Sequence, residues 1–175
     1  MTIHIFSDAS VKAYSAAAYY VAKLPERTIS TLILSKTKVA LLSKTTIPRL
    51  ELLGAVEASK LARMISDTLA VPLKEIHFWT DNQCVLAWIR TRMKALKTYV
   101  ANRVKLIHEV SDPEKWRYVP TDLNPADIGS RGSTITDLAS SSTWKHGPDF
   151  IQLPEEDWPP QPSYYLPGEA QDEVK

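Results

Sequence analysis

The chain has 175 residues, 44% of them hydrophobic, and a formal charge of +1, which suits one domain with a core of ordinary size and excludes a disordered chain. No apolar run approaches the ~20 residues of a membrane span, and the N-terminus lacks the charged-then-apolar pattern of a signal peptide. The single cysteine, Cys84, excludes an internal disulfide and a multi-cysteine zinc site, so any metal must be held by oxygen or histidine. A soluble monomeric domain in an intracellular, cytoplasmic setting is expected, with no membrane partner. The charge is uneven, because residues 154–175 carry six acids against one base, net −5, which leaves +6 on residues 1–153. A mildly basic body is compatible with a phosphate-bearing partner.

Ile3-His4-Ile5-Phe6-Ser7 reads as a strand that stops at Asp8, and the runs Ala16 to Ala22 and Ile29 to Val39 read as two more. Short connections make these an antiparallel meander. Pro48 opens a helical pattern to about Leu69, with Leu50, Leu53, Gly54, Leu61, Met64 and Ile65 on one face. Ile76-His77-Phe78-Trp79 is a short strand ending at Thr80-Asp81, and Asn82 can cap a helix through Trp88 and Ile89. A third helix over Thr98 to Val110 and a strand over Trp116 to Val119 follow, and Asn124-Pro125-Ala126-Asp127 is a helix-start signal. The order βββαβα(α)βα predicts an α/β fold, a mixed sheet with helices on its faces. Five of the twelve prolines lie between Pro154 and Pro167, among acids and aromatics. Residues 154–175 therefore read as a Pro-rich acidic linker or tail to a domain at 1–153.

Asp8 and Asp81 each follow an apolar strand directly, where ligands gather in α/β sheets, although an Asp in that position can also be a turn residue or helix cap. Glu51 sits in the first turn of its helix, about 100° from the centre of the apolar stripe, where it can face a strand end or simply favour the helix dipole. Glu57 lies inside the stripe and reads as a partly buried, hydrogen-bonded structural residue. Asp127 fits a capping box with Asn124 as well as it fits a ligand. Clustered carboxylates suit Mg²⁺, a small hard ion that needs few protein oxygens beside substrate phosphate, and two such ions can drive phosphodiester cleavage. Without cations the four acids repel one another.

These residues, in this order, resemble the ribonuclease H family: Phe6-Ser7-Asp8-Ala9-Ser10 ends the first strand, Arg49-Leu50-Glu51-Leu52 lies on the first helix, Thr80-Asp81-Asn82 follows the fourth strand, and Asn124-Pro125-Ala126-Asp127 opens the last helix. More narrowly, Thr46-Ile47-Pro48-Arg49-Leu50-Glu51-Leu52, Val85-Leu86-Ala87-Trp88-Ile89-Arg90, Tyr99-Val100-Ala101-Asn102-Arg103-Val104 and Asn124 through Gly132 resemble the ribonuclease H region of Pao/BEL retrotransposon polyproteins, over about residues 3–158. The resemblance implies a five-stranded mixed sheet, three antiparallel strands plus parallel ones, flanked by helices. It also implies cleavage of the RNA strand of RNA–DNA hybrids, with two Mg²⁺ or Mn²⁺ ions on Asp8, Glu51, Asp81 and Asp127. Asp8 would bridge the ions, Glu51 and Asp81 would complete one shell, and Asp127 would help hold the other. Implied partners are the polymerase and integrase domains of the same polyprotein, with virus-like particles as a further setting.

Two departures stand out. Cellular ribonucleases H usually carry a histidine, thought to assist product release, where this chain has Val119-Pro120-Thr121-Asp122-Leu123, and Ala9 replaces a common glycine. His108 and His146 lie outside that loop and read as ordinary surface or core residues. Arg90, Arg92, Lys94, Lys97 and Arg103, with Trp88 and Tyr99 nearby, form a basic stretch suited to phosphate contact or to a solvated helical face. Asn102, Arg103 and Arg131 fall in the resembling motifs and are the expected substrate contacts, together with Asn82 at its helix start. Two rival readings remain: a non-catalytic ribonuclease H-like module that binds nucleic acid or supports the polymerase, and a transposase or integrase of the same fold. Retention of all four acids argues against the first, and the Arg-Leu-Glu-Leu helix against the second.

Overall fold

The computed structural model describes residues 1–41, 45–163 and 168–175. Strands β1 (Thr2–Ala9), β2 (Ala13–Lys23) and β3 (Thr28–Val39) form the expected antiparallel meander, and β4 (Ile76–Thr80) and β5 (Trp116–Tyr118) add in parallel to β1. The sheet order is β3-β2-β1-β4-β5. With helices on its faces this is the predicted mixed five-stranded sheet of a ribonuclease H-like fold. The helices are α1 (Ile47–Leu69), α2 (Gln83–Arg90), α3 (Thr98–His108), α4 (Ala126–Arg131), α5 (Ile135–Ser140), α6 (Ser142–His146) and α7 (Gly168–Gln171). Among the described residues no helix is long and apolar enough to cross a membrane.

Alternation along β1 sends its side chains to two cores. Ile3 and Ile5 meet Leu52, Ala55, Ala58, Leu61, Trp88 and Trp116 under α1, α2 and α3. Phe6, on the opposite face, packs with Tyr19, Trp79, Ala126 and Phe150. The α1 face is not centred where Leu53 and Met64 predict, since Leu53 is only half buried and Met64 is 50% exposed. The small residues Gly54, Ala55, Ala58 and Ala62 line the buried side instead. They let the helix approach the sheet so closely that a Cβ on Gly54 would lie 3.0 Å from the Asp8 carbonyl oxygen. Glu57 is buried and structural as expected, bonded to Lys38 at 2.8 Å and Lys60 at 2.9 Å.

The Pro-rich acidic segment rests on the body at both its described parts; residues 164–167 lie outside the described residues. Trp158 stands edge-on against His4, His77 and Trp79, with ring centroids 5.0–5.2 Å apart. Gln161 exchanges hydrogen bonds with the Tyr118 backbone, accepting from its N–H at 2.7 Å and donating to its carbonyl at 3.1 Å. Further on, Ala170 is fully buried and its carbonyl accepts from Trp88 Nε1 at 3.0 Å.

Candidate metal centre

The site forms where β1 and β4 leave the core side by side. Ser7 pairs with Thr80 in the parallel ladder, so Asp8 and Asp81 occupy the next matched positions on strands ~4.8 Å apart. The close approach of α1 at Gly54 brings Glu51 to the same point. One carboxylate oxygen from each of Asp8, Glu51 and Asp81 lies within 4.8 Å of the others. Glu51 is 5% exposed, well inside the buried sector rather than at the border that the helical wheel predicts.

Neighbouring loops hold the three acids. Ser130 Oγ donates to Asp8 Oδ2. The Thr121 and Asn124 side chains favour the ionised form of Asp81, as the Ala9 backbone does for Glu51. The last helix is itself tied to the sheet: Asn124 Nδ2 donates to the Ser7 carbonyl at 3.0 Å, and Ser15 Oγ to the Ala126 carbonyl at 2.8 Å. Asn124 Oδ1 accepts from Ala126 N–H at 3.2 Å. Asp127 does not reach back as a capping box would; its Oδ1 accepts from Arg131 Nε at 2.6 Å, one turn on.

Burial is the main cause of the site's electrostatics. It pushes the Asp8 carboxyl up to about 7, with Asp81 and Asp127 adding repulsion and the Ser130 hydroxyl opposing. Glu51 is pushed up to about 9 by burial and then by Asp8 and Asp81. Asp81 is raised as well, again chiefly by burial. Glu51 Oε2 is buried without a hydrogen-bond partner. An orphaned acceptor among repelling hard oxygens fits a small divalent cation, which would satisfy it and lower all three pKa values.

The structure thus brings Asp8, Glu51 and Asp81 together and leaves Asp127 at the margin, half exposed, its charge still acting on each of them. Asn82 caps α2, accepting from Val85 N–H at 3.1 Å, beside the cluster. Asn102 is exposed on α3, and Arg103 lies over Tyr99 with its guanidinium carbon 3.4 Å from the ring centroid. Arg131, exposed, holds Asp127. Beside the basic stretch Trp88 is buried, and within it Arg90 is half buried and donates to the Trp116 carbonyl at 2.8 Å. His108 and His146 bond the Ile89 and Ser30 carbonyls and are structural, as expected. Ser130 carries no ligand signature of its own in the sequence; its place three residues after Asp127, on the same helical face, is the one signal that points to it.

Residues 1–82, which contain Asp8, Glu51 and Asp81, match the family model described as a Pao retrotransposon-like RNaseH-like domain. The fold is similar to that of RNase H1 from the halophilic archaeon Halobacterium salinarum NRC-1, at TM-score 0.43 and 14% identity over 70% of this chain and 88% of that one. It is also similar to the N-terminal RNase H domain of rv2228c from Mycobacterium tuberculosis, solved as a fusion with maltose-binding protein, at TM-score 0.47 and 11% identity over 74% and 88%. No curated protein sequence matches the chain.

Proposed function

We propose that this Pao retrotransposon RNaseH-like domain is an endonuclease that cuts the RNA strand of RNA–DNA hybrids, with Asp8, Glu51, Asp81 and Asp127 holding two Mg²⁺ or Mn²⁺ ions. The observation that carries the reading is the convergence of three carboxylates within 4.8 Å, two of them buried and the third half buried, one of the buried pair with an unpartnered oxygen. Such a cluster costs stability and is offset only by bound cations or bound protons. When bound, the ions supply an activated water and neutralise charge on the leaving oxygen.

The chain's own residues do the rest. Ser130 orients Asp8 through a hydrogen bond, and Thr121 and Asn124 favour the ionised form of Asp81, so the ligands are prepared before any ion arrives. Arg131 restrains Asp127 at the rim of the cluster. Asn82 at the start of α2, and Asn102 and Arg103 on α3, contact the hybrid, whose RNA strand is told from DNA by 2′-hydroxyls in a wide minor groove. Residues 154–175, which pack on the body of residues 1–153 at their described parts, lead toward the next domain of a polyprotein that also carries polymerase and integrase. It works as a monomeric unit in the cytoplasm or in virus-like particles.

The test is incubation of a hybrid labelled on either strand with the chain and Mg²⁺ or Mn²⁺. The RNA strand should be cut and the DNA strand left whole, and Asp81→Asn should lower the rate at least about 100-fold. Hybrid binding without metal-dependent cutting, even with the polymerase domain fused, would leave only the non-catalytic module.

A further inference from the structure

The side of α1 turned away from the carboxylates carries cations that the metal centre does not use. Arg49, in the first turn of α1, and Arg103, on α3, both lie over the Tyr99 ring, with guanidinium carbons 4.6 and 3.4 Å from its centroid. Stacking on an aromatic face holds a guanidinium in place while its N–H edge stays available to an oxyanion. Arg103 donates one N–H to the Tyr99 carbonyl at 2.9 Å, and its Nε is buried without a partner.

Arg49 is already paired by the chain itself. Glu173 Oε1 accepts from Arg49 Nε and lies 2.7 Å from Arg49 Nη2. Glu173 is 7% exposed, and its Oε2 is buried with no partner. Only one oxygen is satisfied, so the contact is poorer than the two-oxygen pairing that an arginine fork makes with a phosphate. The surrounding segment is attached through backbone: Lys97 N–H donates to the Glu173 carbonyl at 2.7 Å, Lys175 N–H donates to the Ala95 carbonyl at 2.8 Å, and Leu96 bridges Val174. Arg49 and Glu51 are two residues apart, hence about 200° round the helix and ~3 Å along it. The first turn of α1, whose free N–H groups favour anions, stands between the two sites.

We propose that Arg49, stacked with Arg103 on Tyr99, extends the hybrid contact proposed for Arg103 to a further stretch of nucleic-acid phosphodiester backbone, and that the Glu173 carboxylate occupies the Arg49 end as a displaceable stand-in for a phosphate. The proposal rests on the nucleic-acid reading above and extends it to the far side of α1. A polyanion displaces the carboxylate because it adds two-oxygen pairing and counterion release. Until displaced, the segment lowers apparent affinity by the fraction of molecules in which the site is closed.

The test measures binding of a labelled RNA–DNA hybrid to the full chain in EDTA, so that cutting plays no part. Glu173→Gln should bind about three- to tenfold tighter. Arg49→Gln should bind more weakly, with a salt slope reduced by about one, and should abolish the gain in the double variant. In the wild type, saturating hybrid should speed hydrogen exchange at the Lys97 and Lys175 amides, a readout that needs no variant to fold. Unchanged or weaker binding by natively melting Glu173→Gln, or amides that stay equally protected under saturating hybrid, would overturn the proposal. Tighter binding by Glu173→Gln without metal-dependent cutting would overturn the nuclease reading alone.

Discussion

Glu51→Gln should stabilise the metal-free protein, although it removes a residue of the centre. Burial and the neighbouring carboxylates of Asp8, Asp81 and Asp127 raise Glu51 from the ordinary 4.5 to about 9. At pH 8 the folded chain therefore keeps a proton that the unfolded chain has released. The unfolded state binds fewer protons across that window, so stability falls as pH rises from about 4.5 toward 9. At about 1.4 kcal/mol per unit, the interval up to pH 8 corresponds to about 5 kcal/mol, which water entry at the strand ends reduces to about 2–4 kcal/mol. Glutamine carries no such penalty. Urea unfolding in EDTA should show the variant more stable by that amount at pH 8 and by less at pH 6. Adding Mg²⁺ should then stabilise the wild type more than the variant. A variant less stable than wild type at pH 8 in EDTA, or one that gains equally from Mg²⁺, would refute the electrostatic account of the site.

Gly54→Ala should push α1 off the sheet, because its Cβ would lie 3.0 Å from the Asp8 carbonyl oxygen; thermal melts should show a loss of about 1–3 kcal/mol, and cleavage should fall further than stability does. Ser130→Ala removes the hydrogen bond that opposes the rise of Asp8, so the acid limb of the pH–rate profile should move up by about one pH unit. Trp158→Ala uncovers His4 and His77, both held well below the ordinary histidine range chiefly by burial, His77 at about 4. Histidines kept neutral in the fold contribute stability above pH ~6.5 that is lost as pH falls below it. The variant should lose about 1–2 kcal/mol at pH 7.5 but fall less steeply than wild type on acidification to pH 5, as melts at the two values will show.

Much of the site was legible because two acids end apolar strands and one opens a helix, and those settings recur in the motif order. The sequence could not supply the register that sets Ser7 against Thr80 and so puts Asp8 beside Asp81. Glu51 was misjudged as a border residue because a hydrophobic wheel weighs Leu53 and Met64 heavily, whereas close packing follows Gly54, Ala55, Ala58 and Ala62. For Asp127 the capping-box pattern was real in spacing only, since Asn124 spends its side chain on Ser7 and Ala126 and leaves the acid to Arg131. Trp88 and Arg90 read as part of an open basic face. Trp88 is covered by Ala170, 82 residues away, and Arg90 is turned to Trp116. Trp158, Gln161 and Glu173 likewise sit in a segment whose composition reads as a linker while its side chains find partners on the body.

Whether Asp8, Glu51 and Asp81 form a divalent-metal centre is decided by Mn²⁺ titration calorimetry near pH 7 in buffers of different ionisation enthalpy. Because Asp8 is raised to about 7 and Glu51 to about 9, metal entry must expel protons they hold. Mn²⁺ should bind with release of about one to two protons, and Asp8→Asn and Asp81→Asn should each abolish that binding. Binding that survives both substitutions, binding without proton release, or no binding in the presence of an RNA–DNA hybrid would contradict a metal centre there.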